Sequence, residues 1–146
     1  MNPPVSSLLS DKGSSVYSVP VTATVADAVA VMNEHKVGSV VVLEDGNLVG
    51  IFTERDVLYR VVAEGLDPAE TPLEKVMTRN PKIISPDATV QDALEFISEN
   101  RCRHLPVVAD GKLLGLISQG DITRWFVEAH KSHAEQLMTY ITGGMG

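Results

Sequence analysis

The sequence predicts an α+β fold made of two similar halves, each with the element order strand, helix, strand, strand, helix. The first observation is an internal repeat, because residues 23–57 and 88–122 align at a constant offset of 65 without a gap. The second is an Asp-Gly turn between apolar runs in each copy, at 45–46 and 110–111. The third is helical spacing of apolar residues ahead of each turn. Two tandem copies predict a pseudo-twofold axis with clefts where the halves meet.

The first helix of each half is predicted to begin at a threonine cap. Thr24 and Asp27 form a variant of the capping box, with Asp in place of the usual Glu or Gln. The apolar residues that follow fall at i, i+3, i+4 and i+7 and make one stripe: Val25, Ala28, Val29 and Met32. The second copy repeats the cap at Thr89 and Asp92.

The strands on either side of each turn are apolar nearly throughout, which predicts that both faces of the sheet are covered. They are residues 39–43, 48–52, 105–109 and 113–117. A second helix is predicted to begin near Thr53 in the first copy and near Ser118 in the second. Its predicted buried residues are Val57, Leu58, Val61 and Val62 in the first copy, and Ile122, Phe126 and Val127 in the second.

The chain is predicted to divide into five segments: a leader (1–15), a first repeat (16–64), a linker (65–76), a second repeat (77–129) and a helical tail (130–146). The leader is rich in Ser, Pro and Gly, and within it Val5, Leu8 and Leu9 are spaced for a short helix. A short strand is predicted over 16–21 and a short helical turn over 73–77. Each repeat alone would bury a marginal core, so the two are expected to pack as one module.

Composition excludes several classes of partner. The net charge of −7 over 146 residues argues against a nucleic-acid-binding surface, which needs a basic field. A membrane partner is not expected, because no apolar run approaches the roughly 20 residues that span a bilayer. Residues 1–10 also lack the segments of a signal peptide. Cys102 is the single cysteine, which excludes an intramolecular disulfide and predicts a reducing, cytoplasmic location.

The residues after each hairpin carry the motif G-h-h-(S/T)-x-x-D, in which h is apolar, at 50–56 and 115–121. In a structural interpretation, Thr53 and Ser118 cap the second helices and the acids three residues later sit at N3. Each such cap stabilises by about 1 kcal/mol. In a functional interpretation, the hydroxyl and the helix start hold a phosphate, and the acid accepts hydrogen bonds from a ribose diol. The motif alone leaves both interpretations open.

The whole arrangement resembles the cystathionine-β-synthase (CBS) domain family, whose paired domains form a Bateman module. The resemblance covers residues 16–127, most of the chain. Further stretches that carry it are V-Y-S-V at 16–19, G-I-F-T-E-R-D at 50–56, V-M-T at 76–78 and R-C-R-H-L-P-V-V at 101–108. The resemblance implies two clefts between the repeats that bind adenine nucleotides.

The cleft at Asp121 is predicted to be the stronger monophosphate site. By the resemblance, Asp121 holds the ribose and Ser118 the phosphate, with Arg103 and His104 as cations facing the phosphate. His104 has the alternative of a purely local cap or pair. The other residues of this cleft are predicted to face the adenine or to line the wall: Val16, Tyr17, Ser18, Gly38 and Ser39.

The cleft at Asp56 is predicted to use Thr53 and Asp56 in the same roles. Its own repeat has no cations at the positions of Arg103 and His104, and Arg55 is the residue that compensates. This cleft is therefore predicted to be weaker, empty or suited to another ligand. Its base-facing strand is predicted to be Lys82, Ile83 and Ile84.

Structural interpretations are favoured for other reactive side chains. Cys102 lies between two arginines, but it aligns with Val37, so an inert packed thiol is favoured over a reactive one. His35, His130 and His133 have no companions with metal-ligand spacing, and no metal site is predicted.

The resemblance implies a stand-alone regulatory module that senses an adenine nucleotide. AMP is the first candidate, with ADP, ATP, NAD(H) and S-adenosylmethionine as alternatives. A homodimer is expected through the helices ending near Val62 and Val127 together with the tail, and the effector is expected to be a separate protein chain. One rival is a purely structural dimerisation module without ligand. The other is an enzyme, for which the sequence offers no nucleophile–base–acid set.

Overall fold

One strand–helix–hairpin–helix unit occurs twice along the chain, as the internal repeat predicts. The computed structural model describes residues 3–12 and 16–129. The tail predicted to be helical over 130–146 lies outside the described residues, as do the two ends of the leader.

The first half begins after a short N-terminal helix. Its elements in chain order are α1 (Val5–Lys12), β1 (Ser18–Pro20), α2 (Val25–His35), β2 (Ser39–Glu44), β3 (Asn47–Thr53) and α3 (Glu54–Asp56). The last helix continues without a break as a π-helical segment, Val57–Val62. The short helix predicted in the leader is therefore confirmed as α1, and the strand predicted over 16–21 is confirmed as β1.

The second half repeats this order after the linker. Its elements are a 3₁₀ turn (Leu73–Lys75), β4 (Thr78–Arg79), α4 (Val90–Asn100), β5 (His104–Ala109), β6 (Lys112–Ser118) and α5 (Gln119–Ala129). The helical turn predicted over 73–77 is confirmed by the 3₁₀ turn.

The two sheets differ in size although the halves are related. The first has the order β1-β2-β3-β4, in which β1 is parallel to β2 and the other pairs are antiparallel. The second is the β5-β6 hairpin, and its parallel partner is reduced to one bridge between Ile84 and Val107. That bridge is the counterpart, 65 residues on, of the pairing between Val19 and Val42. The first strand of the second half is thus present as a single bridge.

Local capping explains where the first helix of each half begins. The Asp27 amide donates to Thr24 Oγ1 at 3.2 Å, and the Thr24 amide donates to Asp27 Oδ2 at 3.0 Å. Thr89 and Asp92 form the same reciprocal pair. Both predicted capping boxes are confirmed.

Each core is closed by a segment that precedes the other repeat. The first core contains Leu73 and Val76 from the linker and Met77 directly after it, and the second contains Val5 and Leu8 from α1. The backbone contacts are equivalent: the Val5 amide donates to the Ala88 carbonyl at 2.7 Å, and the Leu73 amide donates to the Ala23 carbonyl at 2.9 Å. Helix α1 is therefore part of the second core.

The second helix of each half buries less than the sequence predicts. Val61 and Ile122 are buried as expected. The prediction is wrong for four residues that lie exposed: Leu58, Val62, Phe126 and Val127. Each helix contacts its own core along one narrow edge, so the neighbouring apolar residues face away from that core.

Removing apolar volume from α1 is expected to destabilise the whole fold. Leu8 is 3% exposed and lies in the second core, so Leu8→Ala should lower the free energy of unfolding by about 2–5 kcal/mol. Urea denaturation measures this loss. The control is Leu66→Ala at an exposed position, expected within about 0.5 kcal/mol of wild type. Equal effects of the two substitutions would show that α1 does not complete the core.

Candidate functional site

Thr53 and Asp56 form a compact hydrogen-bonded unit where β3 passes into α3. The Asp56 amide lies 3.3 Å from Thr53 Oγ1, and the Thr53 amide donates to Asp56 Oδ2 at 3.0 Å. The Thr53 hydroxyl also lies 3.3 Å from Asp56 Oδ2. The other carboxylate oxygen, Oδ1, lies 3.5 Å from Arg60 Nε. The capping bonds of the structural interpretation are therefore present.

Ser118 and Asp121 repeat the unit where β6 passes into α5. The Ser118 amide donates to Asp121 Oδ2 at 2.8 Å, and the Asp121 amide donates to Ser118 Oγ at 3.1 Å. Asp121 Oδ1 lies 3.6 Å from Arg124 Nη1. In both units one carboxylate oxygen serves the cap and the other faces an arginine.

Burial is the main influence on the pKa of the Asp56 carboxyl. The residue is 7% exposed, and desolvation raises the pKa of its carboxyl above the ordinary value. The hydrogen bond from the Thr53 backbone and the charge of Arg60 act in the opposite direction without cancelling it. The carboxylate is therefore under-compensated when ionised, and additional hydrogen-bond donors would stabilise it.

A cavity of about 490 Å³ lies beside this unit, between the two repeats. We call it the Asp56 cleft. Residues of the first repeat that line it are Ile51, Thr53, Glu54, Arg55, Asp56, Leu58, Tyr59 and Arg60. Residues from the linker end and the second repeat are Thr78, Pro81, Lys82, Asn100, Arg101, Cys102, Arg103 and His104.

A second cavity, of about 320 Å³, lies beside the Ser118 unit, and we call it the Asp121 cleft. It is lined by Val16, Tyr17, Lys36, Val37, Gly38, Ser39, His104, Leu116, Ser118 and Arg124. Asp121 itself is buried and is linked to this wall through Ser118 and Arg124.

The structure corrects the predicted position of Arg103. The sequence interpretation placed Arg103 in the Asp121 cleft, but the side chain lines the Asp56 cleft. The reason is the pseudo-twofold relation, which sends residues 65 apart to opposite clefts. Gly38 lines the Asp121 cleft, so its counterpart Arg103 must line the other. His104 borders both cavities.

The predicted base-facing strands are only partly at the clefts. Lys82 lines the Asp56 cleft, whereas Ile84 is buried in the second core and Ile83 is exposed outside the lining set. Val16 and Tyr17 line the Asp121 cleft, and Ser18 lies outside its lining set. The remaining predicted residues line the clefts to which they were assigned: Thr53, Arg55 and Asp56 at one, and Gly38, Ser39 and Ser118 at the other.

Several lining residues were missed in the sequence. Lys36 and Arg101 are counterparts that end α2 and α4 in the left-handed conformation, with φ of 55° and 53°. A cation at both helix ends was the signal that could have found them. Arg60 and Arg124 were missed because the second helices were read for apolar contacts alone. Tyr17 stacks on His35 with ring centroids 3.8 Å apart, a contact that no sequence spacing indicated.

Cys102 behaves as the packed thiol that the sequence favours. It is partly buried against the second core, and burial raises the pKa of the thiol. Within the described ranges, no group of three or more His, Cys, Asp or Glu side chains could hold a metal ion. Among the helices of those ranges, none has the length and apolar character to cross a membrane. The cytoplasmic location stays a prediction.

Comparison with known proteins identifies the family. The CBS domain model matches residues 5–63 and 73–128, so the chain belongs to the CBS-domain family and carries two CBS domains. It is 38% identical over 126 residues to the CBS domain-containing protein CBSX3, mitochondrial, of Arabidopsis thaliana. That alignment covers 83% of this chain and 61% of the relative, so the chain spans less than two thirds of that relative's length.

Solved structures support the same fold. The CBS-domain containing protein ATU1752 from Agrobacterium tumefaciens superposes with a TM-score of 0.78 at 34% identity, covering 83% of this chain and 97% of that one. The CBS domain protein PAE2072 from Pyrobaculum aerophilum, complexed with AMP, gives a TM-score of 0.73 at 29% identity. That alignment covers 81% of this chain and 88% of the Pyrobaculum chain. The tandem CBS architecture is thereby confirmed.

The raised pKa of Asp56 predicts a definite sign for the pH dependence of stability. The folded state holds its proton above the ordinary pKa of 3.8, so this contribution to stability is present below 3.8 and is lost as pH rises through the raised value. The free energy of unfolding of wild type relative to Asp56→Asn should therefore fall with rising pH. Urea unfolding between about pH 4 and about pH 7 measures it.

The matched control for this experiment is Asp92→Asn, which alters an exposed carboxylate in an equivalent capping box. It reports what the cap itself contributes. A wild-type advantage over Asp56→Asn that grows with pH would contradict the burial of an under-compensated carboxylate.

Proposed function

We propose that the protein is a regulatory module that binds an adenine nucleotide between its two CBS domains and acts on a separate protein chain. The observation that carries the proposal is the position of both (S/T)-x-x-D units beside cavities between the repeats. The cavities, of about 490 and 320 Å³, fall in the range of roughly 300–1,000 Å³ typical of small-molecule sites. The AMP complex of the Pyrobaculum protein supports this ligand class.

The chemistry of Asp56 suits a ribose. Its buried carboxylate lacks full compensation, and the two adjacent hydroxyls of a ribose would donate the hydrogen bonds that it needs. Lys82 and Arg103 line the same cavity and would pair with phosphate oxygens. AMP is the first candidate, and ADP, ATP, NAD(H) and S-adenosylmethionine are the alternatives.

Regulation follows from where the clefts lie. Each is lined by residues of both repeats, so a bound ligand makes contacts that depend on the angle between the halves. A ligand that prefers one angle shifts the population toward it and changes the surface offered to a partner. Regulation is proposed over catalysis because the hydroxyl and the acid of each motif unit form a helix cap.

A second candidate function is a structural dimerisation module that needs no ligand. The observation that favours it is the complete set of capping bonds at Asp56 and Asp121, which explains both acids as parts of helix starts. Ligand binding separates the two candidates.

A thermal-shift panel with AMP, ADP, ATP, NAD(H) and S-adenosylmethionine tests the ligand proposal. A ligand at a hundredfold excess over its dissociation constant stabilises the fold by about 2.7 kcal/mol. At about 2–4 °C per kcal/mol, the melting temperature should rise by several degrees. Asp56→Ala and Asp121→Ala should each reduce the rise caused by binding in their own cleft.

Asp92→Ala is the matched control for this panel, because it breaks an equivalent capping box whose residues line neither of the two clefts. It should lower the melting temperature without ligand and keep the full ligand-induced rise. Failure of every compound to stabilise wild type would favour the structural module.

The exposed apolar residues of the second helices are proposed as a homodimer interface. Leu58, Val62, Phe126 and Val127 present apolar surface that their own cores leave uncovered. Val62→Lys combined with Phe126→Lys should shift the protein from dimer to monomer, because burying two unpaired charges disfavours association. Sedimentation velocity reads the change. Leu114→Lys, at an exposed site on β6, is the control and should leave the dimer intact.

A further inference from the structure

We propose that the Asp56 cleft is a polyanion site that takes a ligand with a chain of two or more phosphates, whereas the Asp121 cleft takes a single phosphate. The inference rests on the proposed function, because it assigns ligand classes to the same two clefts. It goes further than that function because it states how many phosphate groups each cleft binds. The two clefts have similar backbone surroundings, and they differ in the charges that line them.

The pseudo-twofold relation supplies an internal comparison, since each lining position has a counterpart in the other half. Four positions of the Asp56 cleft carry a cation where the counterpart is uncharged. These pairs are Arg55 with Gly120, Arg60 with Trp125, Lys82 with Tyr17, and Arg103 with Gly38. The reverse occurs at Tyr59, whose counterpart is Arg124, and both clefts carry a cation at the Lys36 and Arg101 position.

Most of these cations are available to a ligand. Arg60 is committed, because its Nη1 donates to the carbonyls of Val76 and Met77 at 3.2 and 3.1 Å. In the part of the chain that the structure describes, four others form no side-chain hydrogen bond and no ion pair: Arg55, Lys82, Arg101 and Arg103. All four line one cavity, whose described carboxylates are Glu54 and Asp56. Arg55 attracts the Asp56 carboxylate, but the cations of this cavity outnumber its two carboxylates. The excess like charges repel one another, and a polyanion would remove that repulsion.

The cations of the Asp121 cleft are engaged with the protein. Lys36 Nζ donates to Asn33 Oδ1 at 3.1 Å, and Arg124 Nη1 lies 3.6 Å from Asp121 Oδ1. The cavity is also smaller, at about 320 Å³ against about 490 Å³. The Asp121 cleft therefore has space and charge for one phosphate. The Asp56 cleft has several guanidinium groups, each of which can form two parallel hydrogen bonds with one phosphate of a chain.

Isothermal titration calorimetry with AMP, ATP and inorganic tripolyphosphate, each without divalent cation, tests the inference. In the Asp121→Ala background, which isolates the Asp56 cleft, ATP should bind at least about tenfold more tightly than AMP. Raising the salt concentration should weaken ATP more than AMP, because more ion pairs are screened.

The repeat itself supplies the variants. Arg103→Gly and Lys82→Tyr install the residues that the chain uses at the counterpart positions, and each should remove most of the preference for ATP over AMP. Lys112→Gly removes a cation at the start of β6, outside both lining sets, and should leave the preference unchanged. Thermal melting without ligand checks folding, and loss of a repelling cation should not lower the melting temperature of either cleft variant.

The outcomes separate this inference from the proposed function. If AMP binds but ATP binds no more tightly and Arg103→Gly changes nothing, the polyanion site is overturned and the nucleotide module stands. If tripolyphosphate binds while AMP binds to neither cleft, the polyanion site stands and the adenine ligand is overturned. If nothing binds, both fall. Tripolyphosphate binding as tightly as ATP indicates recognition of the phosphate chain alone, whereas tighter ATP indicates a nucleoside polyphosphate.

Discussion

The closure of each core by a segment from ahead of the other repeat is the constraint on which the rest of the structure depends. Helix α1 packs into the second core, and the linker turn packs into the first. Glycine allows a close approach at both contacts: a Cβ at Gly115 would lie 2.6 Å from Leu9 Cδ2, and one at Gly50 would lie 2.6 Å from Met77 Sδ, so either side chain would have to shift. Because these glycines lie on the strands that lead into the two motif units, the packing that completes the cores also positions the clefts.

Capping and the proposed ligand recognition would use the same side chains without competing for the same atoms. In each unit, Oδ2 of the acid accepts from the backbone amide of Thr53 or Ser118, and Oδ1 faces an arginine. The cap therefore fixes the carboxylate in one orientation before any ligand arrives, which lowers the entropy cost of ordering it. At Asp56 this orientation is held in a buried setting, and desolvation there raises the pKa of the carboxyl in spite of its partners Thr53 and Arg60. The structural cap and the proposed binding group would in this way be two uses of one geometry.

What the sequence could predict was local or repeated, and what it could not was set by packing between distant segments. Threonine caps, Asp-Gly turns and the order of elements follow from neighbouring residues. Each of these features recurs 65 residues later, so the same prediction could be made for both halves. The exposure of Val62 and Phe126 depends on how wide a face of each helix packs against its core. The spacing of apolar residues does not determine that width. Arg103 was predicted in the Asp121 cleft but lines the Asp56 cleft. The repeat could have predicted this, because Gly38, its counterpart 65 residues earlier, lines the opposite cleft. The Tyr17–His35 stack joins residues whose pairing has no sequence signature.

The pseudo-twofold relation also means that the two proposed sites could acquire different ligands at little cost to the fold. A substitution at one lining position alters the charge of one cleft only, because its counterpart lines the other. Lys82, Arg55 and Arg103 are exposed side chains on a shared cavity wall, so they change the electrostatic potential there while the buried cores stay the same. His104 is different, because it borders both cavities and its surroundings depend on the contents of each. His104, at the start of β5, is therefore the side chain at which a molecule bound in one cleft would alter the wall of the other.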